Sequence, residues 1–237
     1  MYEIFYPKIF HYNKLRDSVI ISRMIKLSFL ILLLANINFV YGQSSETNTK
    51  PQDDWVVISV KDGFTIYTKK SKKSKIRSMR IHGVVNAKID KVTSILRNVE
   101  TAKSWVPNLI ARQYVDQISD TEVILYDVTD MPWPVTDRDM VVEHKLKLSN
   151  DKKSIVLYFK TIEDKRKEAD PDYVRAKIHY GTIEFTPIKD RTNVEMIMLV
   201  DPMGAIPTWA VNALQVSMPY DFLMSLNKFS NNTKIKP

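Results

Sequence analysis

Few side chains in this chain of 237 residues have the type and spacing that catalysis requires. The chain has no cysteine, which excludes disulfides, thiol nucleophiles, iron–sulfur clusters and cysteine-based zinc sites. Its four histidines, at positions 11, 82, 144 and 179, are scattered, and none stands in an HExxH or HxH spacing. No Gly-x-Ser-x-Gly motif and no phosphate-binding glycine loop is present. We therefore predict a protein that is not an enzyme and that holds no metal and no cofactor.

The adjacent residues Arg138 and Asp139 form the most promising charged site, because they open a segment in which apolar and polar residues alternate. Neighbouring residues of a β-strand point to opposite faces, so at most one of the two side chains can reach the interior. An inward Arg138 would either meet the polar end of a ligand or form a buried pair with an acid such as Asp127. The cost of burying an unpaired charge favours the pair.

The elements that would position such a site follow from hydrophobic periodicity. About three strands, a helix, about six strands and a long C-terminal helix are predicted, and the strands alternate as in antiparallel sheets with one buried face. The predicted strands cover residues 55–60, 64–68, 81–85, 112–117, 122–128, 140–148, 155–162, 173–185 and 194–200. The first helix is expected to run from Asn86, as its N-cap, to about Ser104.

The C-terminal helix is predicted from Trp209 to about Met218, with Pro219 kinking or restarting it before residues 220–229. A curved antiparallel sheet of this size has one large apolar face, and this helix is the only element long enough to cover it. We therefore predict one α+β domain over residues 54–230.

Small side chains are expected in the buried stripe of that helix, since Ile206, Ala210, Ala213 and Ser217 share one line of the helical wheel. Small residues leave volume between helix and sheet, which either sheet side chains fill or a ligand occupies. Ten methionines in the chain suit an adaptable apolar pocket, but plain core packing is the more common reason for them.

Two segments carry a resemblance to a known family. Residues 131–139 read Met-Pro-Trp-Pro-Val-Thr-Asp-Arg-Asp, and residues 201–212 read Asp-Pro-Met-Gly-Ala-Ile-Pro-Thr-Trp-Ala-Val-Asn. Together they resemble the START domain, the lipid-transfer domain related to steroidogenic acute regulatory protein, and in particular its exported bacterial members. The resemblance covers residues 55–229. It implies the helix-grip fold, a curved antiparallel sheet wrapped around a long C-terminal helix, with an apolar cavity that holds a lipid or sterol-like molecule.

Ligand-binding side chains are expected on the sheet, at the cavity mouth and along the last helix of such a fold. The predicted set is Trp105, Tyr126, Trp133, Arg138, Met140, Met198, Met203, Trp209, Ala210, Asn212, Ala213 and Ser217. Asn212 is included on the resemblance alone, because the helical wheel puts it on the polar side together with Thr208 and Gln215.

We therefore expect a protein that binds one hydrophobic molecule, a lipid or sterol-like compound, and transfers it between membranes. Two alternatives stay open: a cyclase- or hydrolase-like enzyme of the same superfamily, and a domain with a filled core that serves protein contacts only. A monomer is expected. The net charge of +8 comes without a nucleic-acid-binding motif, which argues against nucleic acid as a partner. The basic run at residues 69–77 is either a solvated hairpin or a site of transient contact with an anionic membrane surface.

The N-terminal residues are predicted to direct export. Lys26 precedes an apolar run at residues 27–40 that is too short for a membrane span, and the small residue Gly42 follows it. We expect residues 1–23 to come from an over-extended start, residues 24–42 to form a signal peptide and residues 43–53 to form a flexible leader. The product would be secreted or periplasmic; the alternative is an uncleaved N-terminal membrane anchor.

Overall fold

The computed structural model describes residues 54–71 and 76–233, apart from the side chains of Thr208, Trp209 and Asn212. The predictions for residues 1–53, which concern the start, the signal peptide and the leader, lie outside the described part of the chain. Residues 72–75 of the basic run lie outside it as well.

Ten strands and two α-helices make up the described residues. The strands are β1 Val56–Lys61, β2 Phe64–Lys69, β3 Ser78–Val85, β4 Leu109–Ser119, β5 Glu122–Thr129, β6 Arg138–Leu148, β7 Ile155–Thr161, β8 Val174–Arg175, β9 Lys177–Ile188 and β10 Arg191–Asp201. The helices are α1 Ile89–Arg97 and α2 Thr208–Asn232, with a 3-10 turn at Ala102–Ser104 after α1.

One sheet contains all ten strands, in the order β1-β2-β3-β10-β9-β7-β6-β5-β4. Neighbours are antiparallel throughout, except that the two-residue β8 pairs parallel with β6. The three N-terminal strands join the rest of the sheet through the pairing of β3 with β10, the last strand in the chain. The sheet is therefore complete before α2 begins. The predicted α+β fold, an antiparallel sheet with a long C-terminal helix, is confirmed.

The main core lies between α2 and strands β2, β3, β9 and β10, and helix α1 packs into the same core. In β2, Phe64 and Ile66 are fully buried and alternate with half-exposed residues, which is the pattern of a strand with one face on a core. Leu223 and Leu226, in the C-terminal half of α2, are fully buried in the same cluster as Phe64, Phe185 and Ile66. Apolar burial of this kind holds the helix onto the sheet.

A second cluster lies on the opposite face of β4, β5 and β6. It contains Ile124, Val128 and Val141, with Ile162 and Tyr173 from the segment between β7 and β8 packed over it. Because that segment covers the outer face, β5 is buried on both sides along most of its length.

Two predictions about the helices need correcting. Helix α1 begins at Ile89 and ends at Arg97, so it is shorter than expected at both ends. Asn86 does not cap it; its backbone N–H donates instead to the Asn227 side chain of α2. Pro219 does not restart α2, which runs through it without interruption. A proline removes one helical hydrogen bond, and the buried leucines that follow it keep the helix in place despite that loss.

Truncation of Leu223 tests whether α2 is bound to the sheet by burial. The Leu223→Ala variant is expected to lose about 2–5 kcal/mol of unfolding free energy, because it removes a fully buried side chain from the main core. Urea unfolding followed by tryptophan fluorescence measures this loss. Lys228→Ala on the exposed side of the same helix serves as the control and should change stability by less than about 0.5 kcal/mol. Equal effects of the two substitutions would contradict the packing described here.

Candidate ligand-binding cavity

A cavity of about 450 Å³ lies between the N-terminal half of α2 and the sheet. Strands β5, β6, β9 and β10 supply its floor, and the segment that follows α1 supplies one wall. Every second residue of β6 lines it, as strand alternation requires. These residues are Arg138, Met140, Val142, His144 and Leu146.

One face of α2 covers this cavity, with residues at the three- and four-residue spacing of a single helical face. They are Val211, Leu214, Gln215, Met218 and Phe222. Gln215, expected on the solvent side, therefore faces the cavity.

The predicted stripe of small residues belongs to a different side of the helix, and this prediction needs correcting. Ala210 is buried against Met131 and Val135, in the connection between β5 and β6, and does not line the cavity. Ala213 is exposed, and Ser217 is half-buried but does not line the cavity. Helix α2 packs on the loop between β5 and β6 with one side and covers the cavity with another. The small residues do not lie on the side that covers the cavity.

Arg112 and Asp127 form an ion pair that lines the cavity. They are direct partners in the β4–β5 pairing, which brings the two side chains to the same face. The Arg112 guanidinium donates from Nε to Asp127 Oδ1 at 2.8 Å and from Nη2 to Oδ2 at 2.7 Å. The pair is bidentate and neutral as a whole, so it adds polarity to the wall without net charge. The predicted alternative in which Asp127 pairs with Arg138 is wrong.

Arg138 faces the cavity and binds the chain just before α2. Its guanidinium donates to the carbonyl oxygens of Pro202 at 2.9 Å, of Met203 at 2.8 Å and of Thr136. Burial lowers the pKa of Arg138 from its usual value. Gly204 follows in the left-handed region with φ of 68°, and a β-carbon there would lie 3.5 Å from the Arg138 guanidinium. Arg138 thus ties the entry of α2 to the start of β6.

Asp139, the next residue, points to the outer face and is fully buried there. It accepts two hydrogen bonds from Arg175, both at 2.8 Å, and one from the Tyr126 hydroxyl at 3.1 Å. Burial and the Asp139 charge raise the pKa of Tyr126 to about 12. Tyr126 therefore lies on the far side of the sheet from the cavity, and its predicted position in the ligand site needs correcting. The expectation that Arg138 and Asp139 face opposite sides is correct.

Two buried polar atoms at the cavity have no hydrogen-bond partner among the described residues: Trp105 Nε1 and His144 Nδ1. Trp105 packs against Phe222 and Phe229 of α2, with ring centres 5.3 and 6.3 Å away. His144 lies beside the Phe159 ring in the floor. Burial, and then the nearby Arg112 charge, lower the pKa of His144 to about 4, so it is neutral at pH 7.

Besides Tyr126, Ala210, Ala213 and Ser217, which do not line the cavity, the predicted site residues divide into three groups. Trp105, Arg138, Met140 and Met198 line the cavity. Trp133 and Met203 do not: Trp133 is 89% exposed in the loop between β5 and β6, because the buried residues on either side of it, Met131 and Val135, anchor the loop. Met203 has an exposed side chain and contributes only its carbonyl. The side chains of Trp209 and Asn212 lie outside the described part.

Three polar residues of the cavity, Arg112, His144 and Gln215, were not among the predicted ligand-binding residues. The alternation of β6 through Met140 and Val142 puts His144 on their face, so the sequence did contain a sign of it. No local pattern indicates that Arg112 and Gln215 face the cavity. The orientation of Arg112 depends on the register of β4 with β5, and that of Gln215 depends on how α2 docks on the sheet.

Among the residues that the structure describes, no three His, Asp or Glu side chains are grouped as a metal site would require. Likewise, neither helix in the described ranges is long and apolar enough to cross a bilayer.

The family model of the START domain matches residues 43–235. The chain belongs to the START family. This confirms the resemblance carried by residues 131–139 and 201–212.

Three proteins illustrate what this chain is similar to. The uncharacterised protein PA1579 of Pseudomonas aeruginosa is 26% identical over 184 residues, which cover 73% of this chain and 85% of that protein. The phosphatidylcholine transfer protein of Mus musculus is 22% identical over 183 residues, covering 76% and 85% respectively. The crystal structure of a STAR-related lipid transfer protein fragment from Xanthomonas axonopodis superposes with a TM-score of 0.68 at 25% identity, covering 76% of this chain and 100% of that one.

Acid is expected to destabilise this START domain through His144. Because the pKa of His144 is about 4 in the folded protein and about 6.5 when unfolded, the unfolded chain binds the proton first as the pH falls. Neutral His144 therefore makes its full contribution to the free energy of unfolding above pH 6.5. As the pH falls towards 4, up to about 3 kcal/mol of that free energy is lost. Urea unfolding at a series of pH values measures it.

Matched histidine variants separate this effect from that of the carboxylates. His144→Gln should flatten the stability profile between pH 6.5 and 4, whereas the exposed His82→Gln should leave it unchanged. A His144→Gln profile that runs parallel to that of the unmodified protein would contradict the assignment.

Proposed function

We propose that this protein binds one hydrophobic molecule, a lipid or sterol-like compound, in the cavity under α2 and carries it between membranes. The observation that supports this most is the hollow itself. Its volume of about 450 Å³ falls within the roughly 300–1,000 Å³ of small-molecule sites. About two thirds of its lining residues are aliphatic, methionine, proline or aromatic, and the rest are polar or charged.

Binding would be driven by removal of the ligand's hydrocarbon from water, which contributes about 25 cal/mol per Å². Met140, Met198 and Met218 line the cavity from three different elements, β6, β10 and α2. Methionine is unbranched and has three rotatable bonds, so these walls can adapt to ligands of somewhat different shape. The cavity is therefore suited to a class of related apolar molecules.

The polar end of the ligand would be small and capable of hydrogen bonding. Trp105 Nε1 can only donate, and it has no acceptor among the described residues. His144 Nδ1 is likewise available in a neutral ring. The Arg112 charge is compensated by Asp127, whereas Arg138, which also lines the cavity, bonds to backbone carbonyls and keeps its charge. A ligand group that satisfies these atoms would fix its orientation.

The names of the relatives agree with this class of ligand. The Mus musculus relative is named as a phosphatidylcholine transfer protein, and the Xanthomonas axonopodis structure as a STAR-related lipid transfer protein. Lipid transfer is thus proposed for this chain on the family and the cavity together.

A cyclase- or hydrolase-like activity has less support. His144 is the histidine that lines the cavity, and with a pKa of about 4 it is a weak base at neutral pH. Asp127, which also lines it, is held by two hydrogen bonds from Arg112. Neither group has the properties of a general base prepared for catalysis, and we infer a binding protein.

A tryptophan in place of Met218 tests the cavity directly. The Met218→Trp variant is expected to fill the hollow from α2 and to reduce bound lipid at least tenfold, since the larger ring occupies the space of the ligand. The protein is purified from cells, incubated with vesicles of phosphatidylcholine and cholesterol, and re-isolated; native mass spectrometry and lipid extraction then quantify what it carries.

Ala213→Trp is the matched control, because it adds the same ring to an exposed position of the same helix. This variant should retain lipid at the level of the unmodified protein. If Met218→Trp keeps its folded state by thermal unfolding and still binds as much lipid as Ala213→Trp, the proposal is wrong. It is equally wrong if the unmodified protein neither retains nor takes up lipid.

We also propose that the protein acts outside the cytoplasm, because residues 24–42 have the pattern of a signal peptide. N-terminal sequencing of the protein recovered from expression of the whole chain is expected to begin at Gln43. A product that retains residues 24–42 would favour the alternative of an N-terminal anchor.

A further inference from the structure

The edge of the sheet formed by β1 is apolar and unprotected in the described part of the chain. β1 pairs with β2 alone, so one row of its backbone N–H and C=O groups faces outward. Four of its side chains are exposed aliphatics: Val56 at 56%, Val57 at 52%, Ile58 at 41% and Val60 at 71%. Such an edge is a template for pairing with a further strand.

The opposite edge of the sheet, formed by β4, has features that usually protect an edge strand from pairing with another chain. Its register with β5 is interrupted in three places. Charged side chains of the segment after β7 lie over it: Arg166 bonds to Asp116 at 3.0 Å, and Lys167 bonds to Gln113 at 3.0 Å. Irregular register and charge both discourage strand addition. β1 has one register shift where β4 has three, so β1 is the more open of the two edges.

The segment around β1 is complementary to itself in charge. Residues 54–61 read Asp-Trp-Val-Val-Ile-Ser-Val-Lys, with an acid at one end and a base at the other. Antiparallel pairing of two copies sets Asp54 of each copy against Lys61 of the other. It also sets Trp55 against Val60, an aromatic and a β-branched residue of the kind that stabilises cross-strand pairs. Parallel pairing would instead oppose like charges.

A β-bulge makes this register possible. In antiparallel strands, residues directly opposite each other must lie on the same face. The proposed register opposes Val56 to Ser59, which in a regular strand would lie on opposite faces because they are three residues apart. The register shift between Val57 and Ser59 adds one residue, so that Val56 and Ser59 both lie beside inward-facing residues of β2, Thr68 and Ile66.

We propose that two copies of this chain associate through β1, in an antiparallel and two-fold symmetric pairing that continues the sheet from one copy into the other. The two-fold axis passes between Val57 and Ile58, and each surface contacts its own equivalent. No residue of β1 lines the cavity, so the association leaves the ligand site accessible. This proposal differs from the monomer expected from the sequence.

Sedimentation velocity on the purified whole chain, over a concentration series, tests the association. We expect a dimer fraction that increases with concentration, and a Val60→Lys variant whose association is about tenfold weaker or more, because a charged side chain would replace the apolar partner of Trp55 in the other copy. Ile118→Lys, at an exposed aliphatic position of β4, is the control and should dimerise as the unmodified protein does. A monomer up to about 1 mM, where a contact of only about 4 kcal/mol would be visible, overturns the proposal, as does loss of the dimer in Ile118→Lys alone.

A charge exchange tests the identity of the partner and the direction of pairing. Asp54→Lys should weaken association about tenfold, because it opposes two lysines. The double variant Asp54→Lys, Lys61→Asp restores opposite charges across the axis and should recover association to within about threefold of the original. Lys61 also lies 4.5 Å above the Tyr220 ring, so thermal unfolding of each variant is needed to show that the fold is intact.

Failure of the double variant to recover, with both variants folded, would overturn the pairing of two β1 strands. The edge would then be covered by another segment or by another protein. Lipid content should be the same in all these variants, because their positions lie outside the cavity. A result on association is therefore independent of the result on ligand binding.

Discussion

The cavity exists because α2 is packed onto the sheet along one half of its length and held away from it along the other. In the C-terminal half, Leu223 and Leu226 are fully buried in the core formed with β2, β3, β9 and β10. In the N-terminal half, Ala210 rests on Met131 and Val135 of the loop between β5 and β6, at the side of the hollow. Two contacts at the two ends of a stiff helix can span a gap that neither contact fills. A helix of 25 residues extends over about 37 Å, which is ample for both.

Arg138 and Asp139 secure this arrangement from opposite faces of one strand. Alternation sends Arg138 to the cavity side, where it binds the carbonyls that precede α2, and Asp139 to the outer side, where Arg175 and Tyr126 bind it. The backbone carbonyls give Arg138 partners without neutralising its charge, whereas Asp139 is neutralised outright by Arg175. Two adjacent residues thereby fix both the entry of the helix and the segment that covers the outer face. Each side chain has bonds that offset the cost of its burial.

The order and type of the elements could be predicted because they depend on local periodicity. Which side of an element faces the cavity could not be predicted where both of its sides are buried. Tyr126 illustrates this in β5, where the segment between β7 and β8 buries the outer face and removes the contrast that alternation relies on. Ala213 illustrates it in α2, where apolar residues occur on several sides and the helical wheel cannot tell which side meets the sheet. For β6, whose inner face alone is predominantly apolar, Arg138 and Met140 were assigned correctly. The register of β4 with β5, which creates the Arg112–Asp127 pair, is a long-range property with no local pattern.

The energetics of the hollow favour an apolar occupant with a polar end. Each Å² of apolar ligand surface that such a cavity removes from water contributes about 25 cal/mol to binding. Trp105 Nε1 and His144 Nδ1 add a polar requirement, since a buried donor or acceptor without a partner costs about 1–3 kcal/mol. A pure hydrocarbon would meet the first demand and leave the second unmet, whereas a lipid that carries a hydrogen-bonding group can meet both.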